Sequence, residues 1–214
     1  MSRLTDLRPG DIGFGPLTDA AALAMWGQFI LGEGFSVGRL NVGHVFVVTD
    51  QYGSPERLPQ SVRVAEAMPR GAQLTIVGPE RWTPRYAYAR LPEDYPGQSM
   101  DAAVIARAMI GTPYSFASYV ALAAWRFGFK AKRLERWINR RRHSVLIEGH
   151  HPMGGEALKQ RALPAEAICS VLADQAWALT GKQVMPQGTP HQCVTPGALA
   201  GALLRTDGVR WLWP

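Results

Sequence analysis

A chain of 214 residues, 47% of them apolar, can bury a substantial core as one large domain, and seven Trp with only 19% charged residues exclude a disordered chain. Two cysteines exclude a disulfide framework and an all-cysteine zinc site, and no apolar run reaches the roughly 18 residues of a spanning helix. The formal charge of +6 is local: residues 126–142 hold eight Lys and Arg against Glu135 alone, which leaves the rest of the chain at −1 and excludes the broad basic surface of a dedicated nucleic-acid binder.

The opening, MSRLTDLRPGDIGFG, has no apolar stretch of signal-peptide length, so the expected setting is the cytoplasm or an assembly such as a virion. Arg8-Pro9-Gly10-Asp11 predicts a turn feeding a strand at Ile12–Phe14. Residues 18–31 are Ala-rich and read as a helix capped by Thr18 or Asp19, ending before Gly32 and Gly34. Val42–Thr49 predicts a strand with His44, Phe46 and Val48 on one face and Val45, Val47 and Thr49 on the other. Strands follow at Val62–Ala67, with Val62, Val64 and Glu66 on one side, at Gln73–Val77 and at Tyr86–Leu91. The connections are too short for parallel crossovers, so these strands should run antiparallel.

Ser99 is positioned to cap a helix running to Ile110 and stopped by Gly111 and Pro113. Residues 129–142 read as a basic amphipathic helix, with Phe127, Ala131, Leu134 and Ile138 along one stripe. A further helix is expected over about Glu166–Leu179, and another begins at Thr195-Pro196, a capping threonine followed by proline in the first turn. The whole reads as a single α+β domain over 1–214, a central antiparallel sheet packed by helices, with a helical insertion at about 114–163.

Cys169 lies just inside the start of a helix, where unpaired N–H groups and the positive end of the helix dipole favour a thiolate and can hold an oxyanion. A thiolate nucleophile needs a base, and His44, opening a strand beside Gly43, is the candidate. Glu66, on the next strand, can hold the second ring nitrogen, which completes a nucleophile–base–carboxylate arrangement. The plainer reading of Cys169 is a small core residue on an apolar helix, and that of His44 is a structural strand histidine. Cys193, with His191 nearby, is the competing thiol but has no helix N-terminus behind it. His143, Glu148, His150 and His151 are the only cluster with metal-ligating side chains, and they lack a helical i,i+4 pair; neither a metal nor a cofactor is expected.

Six fragments in order carry a resemblance. Arg8-Pro9-Gly10-Asp11-Ile12, Gly43-His44-Val45-Phe46-Val47-Val48, Glu66-Ala67, Gly111-Thr112-Pro113-Tyr114, Cys169-Ser170 and Thr195-Pro196-Gly197-Ala198-Leu199 span about 190 residues. Together they resemble the circularly permuted NlpC-like papain-fold cysteine hydrolases, which include the lecithin–retinol acyltransferase-like proteins. The resemblance implies Cys169 as nucleophile, His44 as base and Glu66 as the third polar residue. It also makes Tyr114 and Ser170 candidates for the substrate pocket. The implied substrates are peptidoglycan peptides or acyl chains, cleaved through an acyl-enzyme. The sequence departs from the pattern at Val171, where the family carries an acid, and in the long stretch between Tyr114 and Cys169.

Two other readings stand beside this one. One is a catalytically silent structural or docking subunit of a larger assembly, such as a phage particle. In the other, the basic segment is the functional centre and binds anionic membrane or nucleic acid through Arg133, Arg136, Arg140, Arg141 and Arg142; an acidic protein is a further partner it suits, and no recognised nucleic-acid-binding motif accompanies it.

Overall fold

The computed structural model describes residues 4–16, 36–37, 40–52, 61–114, 167–186, 189 and 194–214. Eight strands are present among them: β1 (Ile12–Gly15), β2 (Ser36–Val37), β3 (Leu40–Asn41), β4 (His44–Tyr52), β5 (Ser61–Met68), β6 (Gly71–Val77), β7 (Ala87–Arg90) and β8 (Arg210–Leu212). Three α-helices accompany them, α1 (Gln98–Ala108), α2 (Cys169–Ala178) and α3 (Pro196–Leu204). Six strands form one antiparallel sheet in the order β6-β5-β4-β1-β7-β8, and β2 pairs only with β3. The fold is thus mixed α+β; the short connections account for the antiparallel direction of the β4–β5 and β5–β6 pairs.

Alternation along the strands separates two cores. Ile12, Phe14, Val45, Val47, Ala65, Ala87 and Ala89 face α1, α2 and α3, meeting Ile105, Leu172, Trp177, Leu199 and Leu203. The alanines on this face leave room for the helices to lie close to the sheet. The opposite face carries Phe46, Val48, Val62, Val64, Val77 and Tyr88, covered by Leu4, Leu7 and Trp82. On that face β1 contributes only glycine: a Cβ on Gly13 would come within 2.1 Å of the Phe46 ring, so the close approach of the aromatic ring requires glycine.

The Arg8–Asp11 turn forms as expected. The Arg8 N–H donates to Asp11 Oδ2 at 2.8 Å, and Arg90 forks onto the same carboxylate at 2.9 and 2.7 Å, tying β7 to the start of β1. Burial outweighs these bonds and raises the Asp11 pKa. Trp177 of α2 donates its indole N–H to the Gly10 carbonyl at 3.0 Å, which fixes α2 against this turn.

Four sequence expectations are corrected. Ser99 does not cap α1: Gly97 holds that place at φ +88°, and Glu93 accepts from the Gly97 and Ser99 N–H groups instead. The fourth helix expectation placed its start at about Glu166, but α2 begins at Cys169, because Ala167 is in an isolated parallel bridge with Tyr114. The strand expected from Val42 begins at His44. The strand expected over Tyr86–Leu91 is limited to Ala87–Arg90; it runs antiparallel as expected, paired with β1.

The helix expected at 18–31, the basic segment with Arg133, Arg136, Arg140, Arg141 and Arg142, the His143–His151 cluster, and Cys193 with His191 all lie outside the described residues. Among the described residues, no helix is long and apolar enough to cross a membrane, and no group of three or more His, Cys, Asp and Glu side chains could hold a metal ion.

Candidate active site

His44 and Cys169 each open an element, and Glu66 lies within β5. His44 is the first residue of β4, paired across to Gly15, which brings no side chain beside the ring. Val47 pairs with Ala65 and Val48 with Val64; continuing this register sets Glu66 opposite Phe46 and diagonal to His44 on the same face. The consequence is a contact between His44 Nε2 and Glu66 Oε2 at 2.8 Å, with Glu66 only 1% exposed. An ionised carboxylate can only accept, so Nε2 carries a proton, and in the neutral ring Nδ1 is the acceptor.

Cys169 is the first residue of α2 and the neighbour of the imidazole. Its thiol acts on the charge of the ring, and Nδ1 makes no regular hydrogen bond among the described residues. Ile168 precedes it with an extended backbone and no side-chain cap. The earliest bond that α2 closes runs from the Leu172 N–H to the Ile168 carbonyl at 2.9 Å, so the N–H groups of Cys169, Ser170 and Val171 come before the helical ladder.

The electrostatics follow from this packing. Burial opposes a charged ring, but the Cys169 thiol and the Glu66 carboxylate outweigh it and raise the His44 pKa from 6.5 to about 9. Burial likewise opposes the charge on Glu66, yet the hydrogen bonds from His44 and Arg81 hold its carboxyl far below the usual range.

The sequence-derived residues separate into those that meet and those that do not. Cys169, His44 and Glu66 come together from α2, β4 and β5. Tyr114 is partly buried against the helix-side core, and its backbone bridges Ala167, with the Ala167 N–H bonded to the Pro113 carbonyl at 3.0 Å. The chain therefore leaves at Tyr114 and returns beside it, two residues before Cys169. Ser170 is fully buried and donates its hydroxyl to the Val194 carbonyl, which ties α2 to the segment before α3.

Two further residues were not singled out by sequence. Arg81, in the 3-10 turn Pro79–Arg81, places its two guanidinium nitrogens on the two oxygens of Glu66 at 2.9 and 3.4 Å. Thr75 donates to Glu66 Oε1 at 2.6 Å. Alternation on β6 puts Thr75 on the face of Glu66, so that signal was present; a turn residue such as Arg81 carries no periodicity to reveal it. The site is also nearly closed: Cys169 is 2% and His44 6% exposed.

Comparison with protein-family models, curated proteins and solved structures finds no match to this chain.

Proposed function

We propose that this protein is a cysteine hydrolase of the papain-like, circularly permuted NlpC-like type, acting on an amide or ester bond of a peptide or acyl substrate. The observation that carries the reading is the His44–Glu66 contact at 2.8 Å, with Nδ1 of the same ring left for the thiol that opens α2. His44 Nδ1 first takes the thiol proton, and the Cys169 thiolate of the resulting ion pair attacks the carbonyl carbon. The oxyanion is held by the backbone N–H of Cys169 at the uncapped end of α2. Collapse of the tetrahedral species breaks the C–N or C–O bond, and the imidazolium gives its proton to the departing amine or alcohol. Water, deprotonated by His44, then cleaves the thioester and regenerates the thiol. Glu66 holds the ring in the tautomer these steps need. Peptidoglycan peptides and acyl esters are the substrates to assay with Cys169→Ala and His44→Ala separately. Both variants should lose turnover, and activity surviving in either removes that residue from the mechanism.

A second reading, a catalytically silent docking subunit, is favoured by the burial of Cys169, 2% exposed. Iodoacetamide at neutral pH followed by peptide mapping separates the two. Labelling of Cys169 supports the hydrolase, and a Cys169 that stays unmodified in the folded protein supports the silent subunit.

A further inference from the structure

We propose that Arg81 is a positioning residue of this site: its fork on both Glu66 oxygens fixes the carboxylate against His44 and balances the charge of the buried cluster. The inference deepens the hydrolase reading and rests on it for the word "site"; the geometry beneath it stands independently.

The turn that carries Arg81 is held from three sides. Tyr88 donates its hydroxyl to the Arg81 carbonyl at 2.7 Å, the Trp82 ring stacks on Tyr88 at 5.1 Å, and the Trp82 N–H closes the turn on the Pro79 carbonyl at 2.9 Å. The guanidinium lies over the Phe46 ring, 5.2 Å from its centroid, and its side chain is only 19% exposed. A backbone and a side chain pinned in this way leave the fork one orientation. Two parallel N–H···O contacts fix the plane of the carboxylate as well as its position, which a single ammonium cannot do.

Charge gives the second argument. In the ion-paired form that the hydrolase reading calls on, thiolate, imidazolium and carboxylate together carry −1 in a site almost sealed from water. Arg81 brings the sum to zero, which lowers the cost of burying all of them. The groups that face this cluster are Cys169 from α2, His44 from β4, Glu66 from β5, Tyr86 just before and Tyr88 within β7, and Glu80 within the turn itself. Of these only Glu66 bonds the guanidinium among the contacts of the described residues. Arg81 therefore also tempers the carboxylate's hold on the ring proton, and removing its charge should make His44 more basic.

The test reads the ring itself. The histidine resonances of the full chain are titrated by NMR in a Cys169→Ala background, with His44 assigned by its loss in His44→Gln. There Arg81→Gln should raise the His44 midpoint by about one pH unit, the effect of one nearby charge removed from a partly shielded site. Arg81→Lys keeps the charge and gives up the fork. Its midpoint should stay within a few tenths of a unit of the parent, while the Nε2 proton exchanges with solvent several-fold faster. Should Arg81→Gln not fold, the lysine variant alone decides. An unchanged midpoint in Arg81→Gln, or an unchanged exchange rate in Arg81→Lys, overturns the inference. Neither readout needs turnover, so a failure here is distinct from survival of activity in Cys169→Ala, which would overturn the hydrolase reading instead.

Discussion

Replacing Glu66 by Gln removes one charge and almost no volume, so what it costs measures electrostatics rather than packing. The carboxylate accepts from His44 Nε2 at 2.8 Å, from Thr75 at 2.6 Å and from two Arg81 nitrogens at 2.9 and 3.4 Å, and it is 1% exposed. Stripping one partner from a buried ion pair costs about 3–5 kcal/mol; Arg81 keeps some solvent, so about 3 kcal/mol is expected. For a domain of this size that lowers Tm by about 6–12 °C.

The loss should depend on pH with a definite sign. The folded pKa of Glu66 lies below its ordinary 4.5, so its contribution is complete above that value and disappears as pH falls through the folded pKa. The folded pKa of His44 is raised from 6.5 to about 9, so its contribution is complete below 6.5 and is lost as pH rises through 9. The gap between wild type and Glu66→Gln should be widest between these limits, near pH 5.5. It should narrow toward pH 9.5, where Arg81 remains as the charged partner. Thermal melts of both proteins at pH 5.5, 7.5 and 9.5 check this. A gap under about 1 kcal/mol at pH 5.5, or one that widens at pH 9.5, refutes the account of a carboxylate held ionised by two cationic partners.

Further outcomes follow from the same geometry. If His44 must return a proton to the leaving group, kcat should fall as pH rises through about 9, and a limb centred below pH 7 would contradict the role assigned to the imidazolium. Gly13→Ala should destabilise the fold by about 2 kcal/mol in denaturant melts, since the new methyl meets the Phe46 ring and the ring is already wedged against Tyr88 and Arg81. Thr195→Ala should cost about 1 kcal/mol in the same assay, because its hydroxyl accepts from the Ala198 N–H at 3.0 Å at the start of α3.

Local chemistry was legible in the residue order. Proline after a capping threonine marked the first turn of α3, and β-branched alternation marked β4 and β5 together with the face each residue would take. Because a strand's period is two, the shared face of His44 and Glu66 needs only their distance from Val48 and Val64 once the two strands pair. The helix starts were less legible. At α1, a glycine with positive φ and a carboxylate from Glu93 displaced the serine that composition favoured.

What the sequence determined by itself is therefore the presence of β1, β4 to β7 and the three helices, with the faces of β4 and β5, since these depend on interactions within a few residues; β2, β3 and β8 carried no such local signal. Tertiary structure decided what lies next to what. It placed β7 across β1 rather than beside β6, brought Tyr114 back to Ala167, set Cys169 at the imidazole, and closed Arg81 over a carboxylate fifteen positions away. Such contacts belong to no local period. They are fixed by burial of two sheet faces at once, and a buried charge must then find its counterion wherever the packing has put one.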